Sequence, residues 1–232
     1  MKETRIALKR EYIRIKCSDW YAHSMPDGYS YGGNQSWFKE PTDGAIAPLG
    51  CGLISCADIL LYKTDRTRLD KTEYMEYVRS LNTGSLRVRK KLGVNGLSMA
   101  FGMRPLMKER GIEGKSRWCF SKGKQLERIT EMIKNDTPVT ISMGPCLCSK
   151  KKKSEFGVKF YVRDSGGNYV LPAWRSGLVK DHYVTVTAVV KKDGETYLEI
   201  SSWGEKYYIN WKEYVEYASL PRTFFSNIML IR

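Results

Sequence analysis

Residues 48–62 read PLGCGLISCADILLY, and this stretch determines how the rest of the chain can pack. Its apolar side chains recur at the spacing of one helix face. They are Leu53, Ile54, Ala57, Leu60 and Leu61. The pattern predicts a helix over 51–63 that buries this face against another layer of the protein. The predicted helix begins on Cys51, which stands between Gly50 and Gly52. A cysteine in this setting has either a packing role or a chemical one.

The position of Cys51 favours the chemical role. At a helix N-terminus, the helix dipole and the unpaired N–H groups stabilise a thiolate and lower the thiol pKa. Cys56 lies about 140° further round the same helix and within its body, so the two thiols cannot face one cleft. Packing remains the alternative, because an unpaired cysteine is often a small buried hydrophobe. If one of the two is a nucleophile, we expect it to be Cys51.

The hydrophobic pattern changes its period near residue 137 and predicts an α+β fold. Before that point, helical spacing predicts further helices over 71–81, 97–111 and 123–136, with Pro105 kinking or restarting the second of these. After it, alternating and β-branched runs predict strands over 137–144, 157–164, 182–192, 196–203, 206–211 and 224–231. We therefore expect a single domain over 1–232. A helical part over about 45–136 should pack on an antiparallel β-sheet part over about 137–232.

A nucleophilic cysteine needs a base, and the sequence contains two histidines, His23 and His182. His23 lies in a turn-rich stretch. His182 opens a predicted strand, and its side chain begins a row on one face of that strand with Val184, Val186 and Ala188. We expect this row to face the layer where the helix packs, which would bring His182 to Cys51 from the sheet.

Five stretches, in this order, resemble the papain-like cysteine peptidases. They read NQSWF, GCGLISCADILLY, TPVTISMG, DHYVTVTAVV and YLEISSWGEKYYINW. The likeness is closest to the branch that includes the bacterial double-glycine (bacteriocin-leader) peptidases and their standalone relatives, and it extends from Gln35 to about Trp211. It implies a papain-like fold with the nucleophile at a helix N-terminus. It also implies cleavage of a peptide or protein substrate without a cofactor.

The resemblance implies a role for each matched residue. Cys51 would be the nucleophile, His182 the general base and then acid, and Gln35 the side-chain donor of the oxyanion hole beside the Cys51 N–H. The family orients its histidine with Asn or Asp in Asn-Ser-Trp-Gly or Asp-Pro-Trp-Gly, whereas this chain reads SSWG at 201–204. We therefore expect Ser201 to orient His182. Glu199, which has the same strand parity, is the alternative.

The chain is strongly basic, with a formal net charge of +14 over 232 residues. Its densest cluster is Lys150–Lys153, in a predicted loop between two strands. Such a cluster can attract nucleic acid, an anionic surface or an acidic peptide, but a charge run of this kind is more often a solvated loop. No nucleic-acid-binding signature accompanies it. Binding of nucleic acid or an anionic surface is thus possible but is not expected to be the main role.

Composition argues against several classes of protein, namely membrane, secreted, disulfide-rich and metal-binding proteins. No apolar run approaches the ~20 residues that span a bilayer, and the N-terminus lacks the apolar segment of a secretory signal. We therefore expect a cytoplasmic protein without a membrane span. The six cysteines show neither a disulfide framework nor metal-ligand spacing, which favours reduced thiols and no bound metal. No heptad or interface stripe indicates an oligomeric state.

Two other functions remain open at this stage. The missing Asn or Asp favours a catalytically degenerate protein that uses the same fold to bind a peptide or a partner. The net charge favours a basic protein that associates with nucleic acid or an anionic surface.

Overall fold

A computed structural model describes residues 3–17, 27–121, 123–144, 156–173, 177–220, 223 and 226–232. His23 and the Lys150–Lys153 cluster lie outside these ranges. The helices are α1 (Ile46–Leu49), α2 (Cys51–Lys63), α3 (Lys71–Leu81), α4 (Gly96–Glu109), α5 (Gln125–Lys134) and α6 (Trp211–Ser219). The strands are β1 (Glu3–Ala7), β2 (Arg14–Lys16), β3 (Tyr29–Tyr31), β4 (Arg68–Asp70), β5 (Ser116–Trp118), β6 (Val139–Met143), β7 (Val162–Arg163), β8 (Tyr169–Val170), β9 (His182–Lys192), β10 (Glu195–Ser202), β11 (Glu205–Asn210) and β12 (Met229–Ile231).

The main sheet is antiparallel and is built around β9. Its order is β1-β9-β10-β11, and β6 also pairs with β9. β1 and β6 share one edge of β9: β6 pairs with its first half, from His182 opposite Met143, and β1 pairs with its second half. The predicted α+β class, with helices followed by an antiparallel sheet, is confirmed in this form.

Three short strands that the sequence pattern did not predict precede the helices. β1 joins the main sheet, while β2 and β3 form a small sheet with β4. β1 is only five residues long and largely exposed, so it lacks the buried alternation that marks a strand. The predicted strand over 157–164 shortens to Val162–Arg163. Helix α6 was not predicted, and its first residue, Trp211, was included in the predicted strand over 206–211, which ends at Asn210.

The predicted helices are confirmed with small changes at their ends. α2 and α3 have the predicted bounds. α4 runs through Pro105 without a break, so the predicted restart is wrong, while the predicted kink stays a prediction. Within the part of the chain that the model covers, no helix has both the length and the apolar character required to cross a membrane.

Helix α2 is buried along nearly its whole length and lies against the main sheet. The Ser55 hydroxyl joins the two layers, with its Oγ 2.7 Å from that of Thr140 and 2.8 Å from that of Thr185. The β9 side chains that face α2 are thus Thr185 and Tyr183, and Tyr183 lies beside Gly52. Because side chains alternate along a strand, the row that begins at His182 is on the opposite face of β9. The prediction that this row lies under the helix is wrong.

The glycines on either side of Cys51 have a packing explanation. A Cβ atom on Gly50 would lie 2.5 Å from the Ile46 carbonyl oxygen, and one on Gly52 would lie 2.8 Å from Met99 Sδ. Gly50 therefore lets α1 run almost directly into α2, and Gly52 lets α4 approach the first turn of α2.

We expect Gly50→Ala to lower the free energy of unfolding by about 1–3 kcal/mol, as overpacking does in other cores. The backbone at Gly50 has an ordinary φ of −86°, so the cost would come from contact with Ile46 and not from backbone strain. Urea unfolding of the native protein and of Gly50→Ala measures this difference in the free energy of unfolding. Gly177→Ala is the matched control, because a Cβ atom there meets nothing within 4 Å. An equal effect of the two substitutions would contradict the packing explanation.

Candidate active site

Three of the predicted site residues, Gln35, Cys51 and His182, line one cleft. The cleft has a volume of about 680 Å³. A second cavity, of about 10 Å³, shares these three residues and adds Ser201 and Ser202. It has room for about one water molecule. The fold therefore brings together residues that are far apart in the sequence.

Cys51 is partly buried at the first residue of α2. Burial raises the pKa of its thiol, and the backbone N–H groups of Tyr183, Gly52 and Cys51 itself oppose that rise without cancelling it. The helix start therefore acts on the thiol in the expected direction, but burial outweighs it and the pKa of Cys51 is raised. Cys56 is fully buried, and burial raises the pKa of its thiol as well. Cys51 is thus the one of the two that reaches the cleft.

His182 is buried and held from two sides. Its Nε2 lies 2.8 Å from the Ser202 hydroxyl oxygen. Its ring stacks on the Trp203 indole, with the ring centroids 4.1 Å apart and the planes 7° from parallel. Because the hydrogen bond and the stacking act together, the plane of the imidazole and the direction of Nε2 are both determined.

Trp203 reaches this position through an unusual backbone conformation. Trp203 and Gly204 form the two-residue turn between β10 and β11, and both have positive φ, 51° and 78°. Glycine and asparagine favour such turns, whereas a bulky aromatic residue there is rare and strained. Gly204 in turn donates to the Gly33 carbonyl and accepts from the Tyr31 N–H, at 3.0 and 2.7 Å. The turn that carries Trp203 is therefore fixed to the segment that leads to Gln35.

Ser202, and not Ser201, contacts His182, which corrects the prediction from the sequence motif. Ser201 lies opposite Thr185 in the sheet and shares its face, and the Ser201 hydroxyl donates to the Tyr31 carbonyl at 2.8 Å. Side chains alternate along a strand, so Ser202 points to the other face, which is that of His182. The motif indicated the correct pair of serines, and the sheet register selects between them.

Glu199 does not serve as the alternative partner. Its carboxylate is buried and bound by Arg5 at 2.9 Å, Tyr31 at 3.1 Å and Tyr208 at 3.2 Å. Burial works against its ionisation, but Lys206 and Arg5 together hold the pKa of Glu199 below its usual range. The charge of Glu199 is therefore neutralised within the sheet.

Gln35 begins a short 3₁₀ turn, and its side chain lies at the edge of the cleft. Its Nε2 donates to the Ala47 carbonyl at 2.9 Å. An amide nitrogen carries two hydrogens, so this bond anchors Gln35 through one N–H and leaves a second donor on the same atom. This anchoring fits the predicted role of Gln35 as a fixed side-chain donor.

Asp58 is a site residue that the sequence reading missed. It lies on α2 seven residues after Cys51 and lines the small cavity with it. Its buried carboxylate accepts from Tyr74 OH at 2.6 Å, Tyr12 OH at 3.0 Å and the Gly33 N–H at 3.2 Å. Burial raises the pKa of Asp58 to about 6, although these three donors act to lower it. A polar residue on an otherwise buried helix face was the available signal.

The described cysteines and acidic residues form no metal site. In the described ranges, no group of three or more His, Cys, Asp or Glu side chains could hold a metal ion. Cys17, Cys51, Cys56 and Cys119 are all without a disulfide bond. Cys146 and Cys148 lie outside the described residues.

We expect stability to depend on the ionisation of Asp58. The folded state binds the Asp58 proton more tightly than the unfolded state does, so this contribution is full below about pH 4 and is lost as pH rises through about 6. The free energy of unfolding of the native protein, relative to Asp58→Asn, should therefore fall by up to about 3 kcal/mol over this range. Urea unfolding at a series of pH values measures the difference.

Tyr74→Phe provides a second variant in case Asp58→Asn does not fold. It removes one of the three donors, so the loss of stability should shift to higher pH. Burial raises the pKa values of Tyr12 and Tyr74 well above their usual range, so neither titrates in this window. Parallel pH curves for all three proteins would contradict the prediction.

Comparison with models of known families finds no match for this chain, and no curated protein matches it. Its function is therefore inferred from the geometry of the cleft.

Proposed function

We propose that this chain is a cysteine peptidase of papain-like fold that cleaves a peptide or protein substrate through a thioester on Cys51. The observation that carries the proposal is the meeting of Cys51, His182 and Gln35 in one cleft. These are a nucleophile, a base and an amide donor, the three groups that acyl transfer requires. They are also the residues matched by the papain-like motifs.

The hydrogen bond of His182 supports a different role for each of its ring nitrogens. Nε2 is engaged by Ser202, so Nδ1 is the nitrogen that takes the proton from the Cys51 thiol. Burial alone raises the pKa of that thiol. An imidazolium at His182 offsets this effect, because an opposite charge nearby favours the thiolate. The pair is therefore active as an ion pair, with each partner stabilising the other.

The reaction then proceeds in two balanced steps. The Cys51 sulfur attacks the substrate carbonyl carbon, and the oxygen takes the π-electron pair while bound by the Cys51 N–H and Gln35 Nε2. The C–N bond breaks as His182 gives its proton to the leaving amine, which leaves a thioester. Water gives a proton to His182 as it attacks the thioester, the C–S bond breaks, and the acid product leaves while the Cys51 thiolate and the His182 imidazolium are restored. No cofactor takes part.

The size and charge of the cleft support a peptide substrate. It is a pocket of about 680 Å³, which lies within the range of ligand sites. Apolar side chains line much of it, including Leu49, Leu92 and Val94. Lys91 and Lys180 add positive charge, which Asp181 offsets in part. Such a surface suits an extended chain with apolar side chains and some acidic character.

A second candidate is a catalytically degenerate protein that binds a peptide in the same cleft. Two observations favour it: burial raises the pKa of the Cys51 thiol, and the partner of His182 is an uncharged serine. On this alternative, the cleft is retained while the ion pair does not form.

The alkylation of Cys51 as a function of pH should separate these two candidates. We expect Cys51 to react with iodoacetamide faster than the other thiols, and to do so well below the ordinary thiol pKa of ~8.5. His182→Ala should slow the reaction at pH 6–7 by about tenfold or more, because the thiolate loses its counter-ion. Peptide mass spectrometry locates and times the labelling.

Ser202→Ala and Ser201→Ala are a matched pair for the same experiment. Both remove a buried hydroxyl from adjacent positions, but only Ser202 contacts His182. Ser202→Ala should therefore alter the pH profile of Cys51, and Ser201→Ala should leave it unchanged. A Cys51 that labels as an ordinary thiol, indifferent to His182 and Ser202, would support the degenerate binding protein.

Hydrolysis itself is tested with a peptide library prepared from a cell digest, with new termini read by mass spectrometry. The native protein should generate them, and Cys51→Ala should abolish them. Cys56→Ala is the control, because it removes a thiol from the same helix outside the cleft. New termini that persist in Cys51→Ala would overturn the assignment of the nucleophile.

A further inference from the structure

A second concave surface lies on α4, β5, the residues that follow β5 and the start of α5. We refer to it as the aromatic–arginine patch and define it by Leu97, Phe101, Arg104, Arg117, Phe120 and Arg128. It encloses a cavity of about 390 Å³, and Trp118 forms part of its wall. None of its residues lines the cleft that holds Cys51. The patch is thus a separate feature that the proposed peptidase chemistry does not use.

The patch exposes large apolar side chains to solvent. Phe120 is 76% exposed, Phe101 53% and Leu97 44%. Hiding such a surface from water is favourable by roughly 25 cal/mol per Å². Grouped exposed apolar side chains around a cavity are typical of an interaction site, whereas single ones are normal on any protein.

The three arginines of the patch have no acidic partner in the described ranges. Arg104 donates to the Ser116 carbonyl at 3.0 Å and lies 4.6 Å from the centre of the Phe101 ring. Arg128 donates to Cys119 Sγ at 2.8 Å and to the Ser121 carbonyl at 3.4 Å. No Asp or Glu lines the cavity. The patch therefore carries uncompensated positive charge beside apolar surface.

We infer that the aromatic–arginine patch docks an acidic peptide segment that carries apolar side chains. The apolar side chains would enter the cavity beside Phe101 and Phe120, and the carboxylates would pair with the guanidinium groups around it. A nucleic acid would find one face of the Phe101 ring already covered by Arg104, so it is the competing outcome of the test. This docking goes beyond the proposed cleavage and does not depend on it.

The inference is tested by fluorescence anisotropy with a labelled peptide of about twelve residues that alternates Glu with Phe and Leu. A peptide of this length can span a small interaction surface. All titrations use the full chain with Cys51→Ala, so cleavage cannot remove the probe. Any binding of the probe in the Cys51 cleft would not respond to substitutions in the patch, because the two share no lining residue. We expect saturable binding at physiological salt. Arg117→Glu should weaken it by about tenfold or more, and Phe120→Ala by about fivefold, as loss of anchors does at other interfaces.

Matched controls distinguish binding at the aromatic–arginine patch from non-specific electrostatic attraction to a basic protein. Lys212→Glu makes the same change of charge on α6, and Val215→Ala truncates an exposed apolar side chain on the same helix. Both should leave the affinity within about twofold, as substitutions outside an interface do. Equal weakening by Arg117→Glu and Lys212→Glu, or no effect of Phe120→Ala, would overturn the inference. So would an oligothymidine of similar length that competes for the patch more tightly than the peptide.

Discussion

The backbone of Gly33 is held from two sides, and the geometry of the cleft depends on it. Its N–H donates to Asp58 on α2, and its carbonyl accepts from Gly204 in the turn after β10. These two bonds join the helix that carries Cys51 to the turn that carries Trp203, while Gln35 follows two residues later. Tyr74 packs so closely on Gly33 that no Cβ atom fits there. A glycine at this position lets three distant segments meet.

Much of the framework follows from local patterns, because hydrophobic periodicity depends on neighbouring residues. The bounds of α2, α3 and β9 were predicted for this reason. The partner of His182 was not, because the face of a serine depends on how strands align. The pairing of β9 with β10 shifts between Glu199 and Ile200, and local sequence does not reveal such an irregularity.

The glycines around Cys51 show how one motif can have two explanations. They are typical of a nucleophile at a helix start, but contacts with Ile46 and Met99 already require small residues there. The helix start does not by itself lower the pKa of the Cys51 thiol, because burial outweighs the nearby N–H groups. The interpretation of Cys51 as a nucleophile therefore depends on His182, whose position the glycine motif does not predict.

Under the proposed function, orientation and charge stabilisation of His182 come from different groups. The Ser202 hydroxyl directs Nε2 but carries no charge, so it stabilises an imidazolium less than a carboxylate would. Trp203 lies flat against the ring, and an aromatic face attracts a cation. The strained backbone of Trp203 is consistent with this division, since strain persists where the surrounding structure requires it. Orientation of His182 by Ser202, an uncharged group, is thus compatible with an active pair, provided that the indole stays in place.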